Sequence, residues 1–461
     1  MKKNYNLFKL STFVYISLIT LLGSCSNSET NQPPTNSVQS NISNSLPNNP
    51  KINTEIIPKE TTKIIAVKLP ENQPDLVVNT EVEKFIKTII DRGGVKENQG
   101  VWIQSGNKLL GNYQGNIPLP AASVTKTATT IAALKKWGPD HQFITQIGIT
   151  GKIEKGEVKG DLIIQGGEDP FFVWEEAIAL GNTLNKLGIK KIQGNLIIVG
   201  KFYMNFESNP QTAGNLLKEG LNSEIWQEET QQQYQTLPPD TAKPKVIIAG
   251  VIKAIPTAPE NQKLLIRHYS FPLAELLKKM NMYSNNMMAQ MLADAVGGAK
   301  IVAETAAEAA GVPPEEIQLI NGSGLGEENK ISPRAAVGMT QAIELFLKHY
   351  NMTIADVMAI AQRDLGVLNG RKIPELSVVK TGTLNYVASI AGAIPTEKIG
   401  PVWIAIMNKG ENVEEYRVQQ DILLNNLVNK WGAVKTPPAE LTPSPARRGK
   451  TSRIEVINTV K

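Results

Sequence analysis

The sequence predicts an α+β fold in which an antiparallel sheet, flanked by helices, is interrupted by an inserted α+β module. Three observations carry this. Strand-type text occurs near both ends of the body, at residues 100–113 and 377–407, with helix-period text at each end and in the middle. Between about 143 and 265 the character changes to short apolar runs punctuated by glycine. A chain of 461 residues, 41% of them apolar, is long enough for two or three domains with a sizeable core.

The chain opens with Lys2 and Lys3, followed at 10–22 by an apolar run too short to span a bilayer comfortably. Leu22-Gly23-Ser24 then puts small residues before Cys25, the only cysteine. Residues 1–25 look like a bacterial lipoprotein signal with Cys25 as the lipid-bearing residue. An ordinary secretory signal or an uncleaved anchor is the alternative. No other long apolar run suggests a further membrane span. A single cysteine rules out an intrachain disulfide and a zinc site built on cysteines. Residues 26–74 read as a disordered Ser/Asn/Pro-rich tether holding a folded body beside a membrane, its part 26–60 having a coil-like reach of roughly 30 Å.

The body is expected from 75. Val82, Phe85, Ile86, Ile89 and Ile90 recur at helical spacing. Residues 100–104 and 109–113 flank Ser105-Gly106-Asn107 as a hairpin, and a helix from about 123 to 137 is stopped by Gly138-Pro139. Within the insert, Gly160-Asp161-Leu162-Ile163-Ile164-Gln165-Gly166 is echoed by Gly194-Asn195-Leu196-Ile197-Ile198-Val199-Gly200, with helix-like text between them. These two runs read as equivalent strands. Helical text resumes at 272–297, and residues 333–349 and 354–360 also read as helices. Strand-like runs at 388–394 and 402–407 precede a closing helix at 412–431. Residues 75–142 and 266–435 thus form one domain split by the module at 143–265. The Pro-rich end, 436–461, with Arg447, Arg448, Lys450 and Arg453, reads as a disordered, solvated tail.

The charge balance, 48 basic against 43 acidic residues, shows no basic stripe and argues against a nucleic-acid partner. The three histidines, His141, His268 and His349, lie near no G-x-S-x-G serine. The chemistry falls instead on three short elements. Ser123-Val124-Thr125-Lys126 opens a helix, so hydroxyl and amine share one face. A desolvated, unprotonated Lys126 can take the Ser123 proton, and the helix N-terminus favours a developing oxyanion. In Ser284-Asn285-Asn286, Ser284 can relay a proton between Lys126 and a leaving amine, and Asn286 can hold a substrate amide. The overlapping Tyr283-Ser284-Asn285 fits the Y-x-N register of class C β-lactamases. In Lys380-Thr381-Gly382-Thr383, Lys380 and the hydroxyls of Thr381 and Thr383 suit an anionic carboxylate, and Gly382 lets a substrate strand approach the edge backbone. The N–H groups of Ser123 and Thr383 would make a two-donor oxyanion hole. The residues alone imply acyl transfer from an amide beside a carboxylate, needing no cofactor or metal.

Taken together and in this order, the three elements resemble those of β-lactamases and penicillin-binding proteins. With the long insert between the first two, the chain resembles peptidase S13, the class C low-molecular-mass penicillin-binding proteins. Pro120-Ala121-Ala122-Ser123, Gly138-Pro139-Asp140-His141-Gln142-Phe143, Gly167-Glu168-Asp169-Pro170, Ser270-Phe271-Pro272-Leu273 and Gly322-Ser323-Gly324-Leu325 are similar to the family's text. The resemblance covers about 75–435 and implies a penicillin-binding-protein/β-lactamase-like transpeptidase fold. It implies an exported, cell-envelope D-Ala-D-Ala carboxypeptidase, with endopeptidase action possible, whose partners are peptidoglycan stem peptides and covalently bound β-lactams. A β-lactamase, or a β-lactam-binding sensor with little turnover, remains the alternative. Asn285 stands where the family often has Asp, and residues 201–240 depart from its pattern, leaving the insert's share in substrate recognition open.

Overall fold

The computed structural model describes residues 66–457. The signal-like segment with Cys25, most of the tether and the last four residues lie outside them. The central sheet has six antiparallel strands. In spatial order these are Ala359–Ile360, Val378–Leu384, Val387–Ile394, Val402–Lys409, Gln99–Ser105 and Lys108–Tyr113. The N-terminal hairpin therefore completes a sheet begun nearly three hundred residues later, by pairing Val101 with Ile406 and Ile103 with Ile404.

Both faces of the sheet are covered, which explains strands that are apolar at nearly every position. Val101, Ile103, Ile390, Ile404 and Ile406 point to one side, where helices Leu76–Asp91 and Val413–Trp431 lie. Trp102, Ala391, Ala393, Ala405 and Met407 point to the other. The period-two alternation sorts the strands into two cores. On the second side lies helix Lys126–Trp137, buried all the way from Lys126 to Leu134. Helices Leu273–Tyr283, Asn286–Val296, Ala299–Ala310 and Pro333–Lys348 surround it.

The insert has its own core and its own six-stranded sheet. The echoed runs form its neighbouring parallel strands, Leu162–Gln165 and Leu196–Val199, joined by helix Trp174–Lys186 as a βαβ unit. The last strand of the insert in chain order is Lys263–Tyr269, so the expected boundary at 265 falls inside a strand.

Four expectations are corrected. The tail is ordered through residue 457 rather than disordered. Leu441 is buried in the main core, and Arg453–Val456 adds a strand to the insert's sheet beside Lys263–Tyr269. Two of its basic residues find acids on the body: Arg447 pairs with Asp140 and Glu275, and Lys450 with Asp140. The body begins before 75, since Val67 is buried and its N–H donates to the Ala309 carbonyl at 3.0 Å. Residues 354–360 are not a helix. They form a 3-10 turn, Ile354–Asp356, and the short edge strand Ala359–Ile360. Helix Ala299–Ala310 was not anticipated; its alanines give a small-residue face rather than a strong apolar period.

Candidate active site

The site lies where the second motif's helix junction and the strand Val378–Leu384 meet the start of helix Lys126–Trp137. Ser123 sits in a 3-10 turn, Ala122–Thr125, that leads into this helix. With three residues per turn, positions i and i+3 eclipse. The Ser123 Oγ therefore faces the Lys126 Nζ at 3.0 Å. Ala122, just before Ser123, has φ 45, a left-handed backbone that an alanine adopts only when its surroundings impose it. Here they do. The Ala121 N–H donates to the Asn329 carbonyl at 2.9 Å, and its carbonyl accepts from Val124 N and from Ser389 Oγ.

Lys126 is fully buried, and its Nζ meets two further oxygens, Asn286 Oδ1 and the Ser323 carbonyl, each at 2.7 Å. Burial holds the amine well below the usual lysine range, and the charge on nearby Lys380 adds to this. A neutral amine has two N–H groups and one lone pair. The two carbonyl oxygens can only accept, so they take both N–H groups and leave the lone pair for the Ser123 O–H.

The junction Tyr283, Ser284, Asn285, Asn286 links two helices. Ser284 ends the first in a left-handed conformation, φ 55. Asn285 is buried and caps the second, its Oδ1 accepting from Met288 N at 2.9 Å. This decides the register: Asn286, not Asn285, reaches Lys126, so the Y-x-N alternative does not fit the geometry. The Asn286 carbonyl oxygen is occupied by Lys126, which leaves its N–H groups as donors for another molecule. Ser284 stands on a different lysine from the one expected. Its Oγ lies 3.0 Å from Lys380 Nζ.

Lys380 is buried, donates to the Thr381 carbonyl at 2.6 Å, and is pushed down to about 7 by burial. Thr381 is buried and Thr383 exposed on the same strand. Gly382 plays another part than the one anticipated. A Cβ there would lie 2.7 Å from Ser123 N and 2.4 Å from Ser389 Oγ. Its missing side chain lets the strand touch the turn that carries Ser123, rather than only admitting a substrate strand.

Two participants carried no readable motif. The Ser323 carbonyl is a backbone group, although its loop, Gly322-Ser323-Gly324-Leu325, is among the stretches similar to the family's text. That loop is pinned from several sides. Thr129 Oγ1 donates to the Gly322 carbonyl at 2.7 Å, and Asn321 Oδ1 accepts from Gly324 N at 2.8 Å. Gly324 has φ +83, and a Cβ there would strike the Ala122 carbonyl. Ser389 lies in strand text that otherwise reads as plain core.

Comparison with known proteins agrees with this architecture. The D-alanyl-D-alanine carboxypeptidase DacB of Haemophilus influenzae is 22% identical over 384 residues, covering 62% of this chain and 79% of the relative. The predatory endopeptidase Bd0816 of Bdellovibrio bacteriovorus, solved with an immunity protein, superposes with a TM-score of 0.63 at 20% identity, over 77% of this chain and 99% of its own. Penicillin-binding protein 4 of Haemophilus influenzae gives 0.56 at 20% identity, over 75% and 98%. These likenesses share the fold, a penicillin-binding-protein-like α+β architecture. A family model matches residues 83–211 and 227–427 and breaks only inside the divergent part of the insert. The chain belongs to the D-Ala-D-Ala carboxypeptidase 3 (S13) family of peptidases.

Proposed function

We propose that this site cleaves the terminal D-Ala-D-Ala bond of peptidoglycan stem peptides through an acyl-enzyme on Ser123, and that β-lactams acylate the same residue. The observation that carries the reading is the environment of Lys126: buried, held toward neutrality, and with its two N–H groups directed at carbonyls so that its lone pair meets Ser123. Ser123 Oγ attacks the penultimate D-Ala carbonyl carbon and its proton passes to Lys126 Nζ. The N–H groups of Ser123 and Thr383 hold the oxyanion. When the C–N bond breaks, the proton moves from Lys126 to the departing amine, while the Ser284 hydroxyl, 3.0 Å from Lys380 Nζ, holds that lysine in the site. D-Ala leaves. Water then attacks the ester, giving its proton to Lys126, which returns it to Ser123. Lys380, Thr381 and Thr383 receive the terminal carboxylate, and the free N–H groups of Asn286 hold the peptide. Cleavage of cross-linked peptides, an endopeptidase action, uses the same steps. One structural neighbour bears on this reading: Bd3459 of Bdellovibrio bacteriovorus is described as a peptidoglycan endopeptidase and was solved acylated by penicillin G.

The remaining parts of the reading concern place. Cys25 is a lipid attachment site after cleavage of residues 1–24, and residues 26–65 tether the body to the outer face of a membrane. Residues 143–269 are a module mounted on the catalytic domain.

Incubating the full chain with a peptide ending in D-Ala-D-Ala and assaying free D-Ala tests the activity. Release by the wild type and none by Ser123→Ala is expected. Turnover retained in Ser123→Ala overturns the reading.

A further inference from the structure

Ser389 is buried in strand Val387–Ile394 and faces the core of small and apolar side chains around helix Lys126–Trp137. Its neighbours on that face, Ala391 and Ala393, are alanines packed in the same core. Alanine would satisfy the packing at 389 as well, so the hydroxyl needs a reason. A buried O–H costs free energy unless it is bonded. This one donates to the Ala121 carbonyl at 2.6 Å and lies 3.4 Å from the Gly382 carbonyl.

Those two carbonyls belong to the segments that carry the oxyanion donors. Ala121 is two residues before Ser123, and Gly382 immediately precedes Thr383. Strand pairing sets Ser389 directly opposite Gly382. Because Gly382 has no side chain, the hydroxyl reaches past it to the nucleophile turn, and the Ser389 Oγ occupies the space where a Cβ on 382 would lie.

We infer that Ser389 is a positioning residue, a clip between the nucleophile turn and the Lys380–Thr383 strand that fixes the spacing of the Ser123 and Thr383 N–H groups. The inference rests on the acyl-enzyme reading above and extends it to a residue in the second layer of the site. The fold should tolerate loss of the clip. Without Ser389 Oγ, the Ala121 carbonyl still accepts from Val124 N at 3.1 Å, and the Ala121 N–H keeps its bond to Asn329. What goes is the link between the two donors.

The test compares wild type, Ser389→Ala and Ser389→Thr in acylation by a labelled penicillin, in turnover of a D-Ala-D-Ala peptide, and in affinity for a peptidyl boronic acid, which forms a tetrahedral adduct on the serine. Outright removal of an oxyanion donor costs on the order of 10²–10³ in rate, and displacement should cost less. For Ser389→Ala a fall of about tenfold to a hundredfold is therefore expected in acylation and kcat. KM should stay near the wild-type value, and boronic acid affinity should drop in step with kcat. Ser389→Thr, which keeps the hydroxyl, should recover most of the rate. A merely structural serine would instead lower the melting temperature and leave kcat and boronate affinity per folded molecule unchanged. That outcome, or a rise in KM at constant kcat, overturns the clip. A wild type that no penicillin acylates overturns the acyl-enzyme reading instead, so the two failures are distinguishable.

Discussion

Lys126 and Lys380 are both buried lysines, yet the site asks opposite things of them. In the proposed reaction Lys126, as base, must be neutral, and Lys380, as the partner of a carboxylate, must be charged. Burial pushes both down, Lys380 to about 7, and at Lys126 the positive charge of nearby Lys380 adds to it. On the acid side, kcat/KM should rise as Lys126 loses its proton. On the alkaline side it should fall as free Lys380 loses its own near pH 7, for peptides with a terminal carboxylate. Amidated peptides, which do not need the charge, should lack that alkaline limb; equal limbs for both would show that the carboxylate is not the target of Lys380. The same shift has a cost in stability. Between about pH 7 and about 10.4 the unfolded chain holds a proton on this lysine that the folded chain has shed, so its penalty is largest below pH 7 and fades as pH rises. Lys380→Met should therefore raise the melting temperature at pH 7, and the gain should shrink at pH 10. A lower melting temperature at pH 7 would contradict this. Ser123, Lys126, Asn286 and Lys380 were readable as residue types at fixed spacing. The Ser323 carbonyl and Ser389 were not, because a backbone oxygen has no letter of its own and a buried serine in strand text looks like filler.

At the scale of elements, legibility followed apolar patterning. The hairpin at 99–113 and the strands at 387–409 were readable as near-continuous apolar runs bounded by turn residues, the pattern of strands buried on both faces. The echoed glycine-flanked runs were readable as a pair of strands, and they form parallel neighbours. The tail was misread for a physical reason. Its text is Pro-rich and basic, and its anchors are scattered: Leu441 in the main core, Arg447 between two acids, and a four-residue strand at the edge of the insert's sheet. None of these makes a period. The same anchors allow a direct check. Leu441→Ala removes a buried side chain and should cost about 2–4 kcal/mol of stability. Penicillin acylation at 25 °C should be unchanged, because the hydrogen bonds that hold Ser123, Lys126 and Lys380 run through no residue of this segment. An unaltered melting temperature would mean that the segment is not docked as described.

At the scale of the molecule, two bodies are connected three times: where the chain enters the insert near residue 143, where it leaves near 269, and where residues 436–457 run from the last helix of the catalytic domain to the edge of the insert's sheet. The family match ends at residue 427, before that third connection. Upstream of the body, the reading of Cys25 as a lipid site predicts that Cys25→Ala releases or mislocalises the protein while peptidase activity persists. A mature wild-type N-terminus without lipid in the mass spectrum would refute it. The central claim remains that Ser123 is the covalent nucleophile with Lys126 as its base. Labelling by penicillin followed by a tryptic map tests it most directly. A single adduct on Ser123 is predicted. It should be absent in Ser123→Ala and slower by several orders of magnitude in Lys126→Ala, since loss of one member of a catalytic unit costs on the order of 10⁴–10⁶. Lys126→Arg should not restore it, because an arginine stays protonated. An adduct mapped to any other residue would contradict the account.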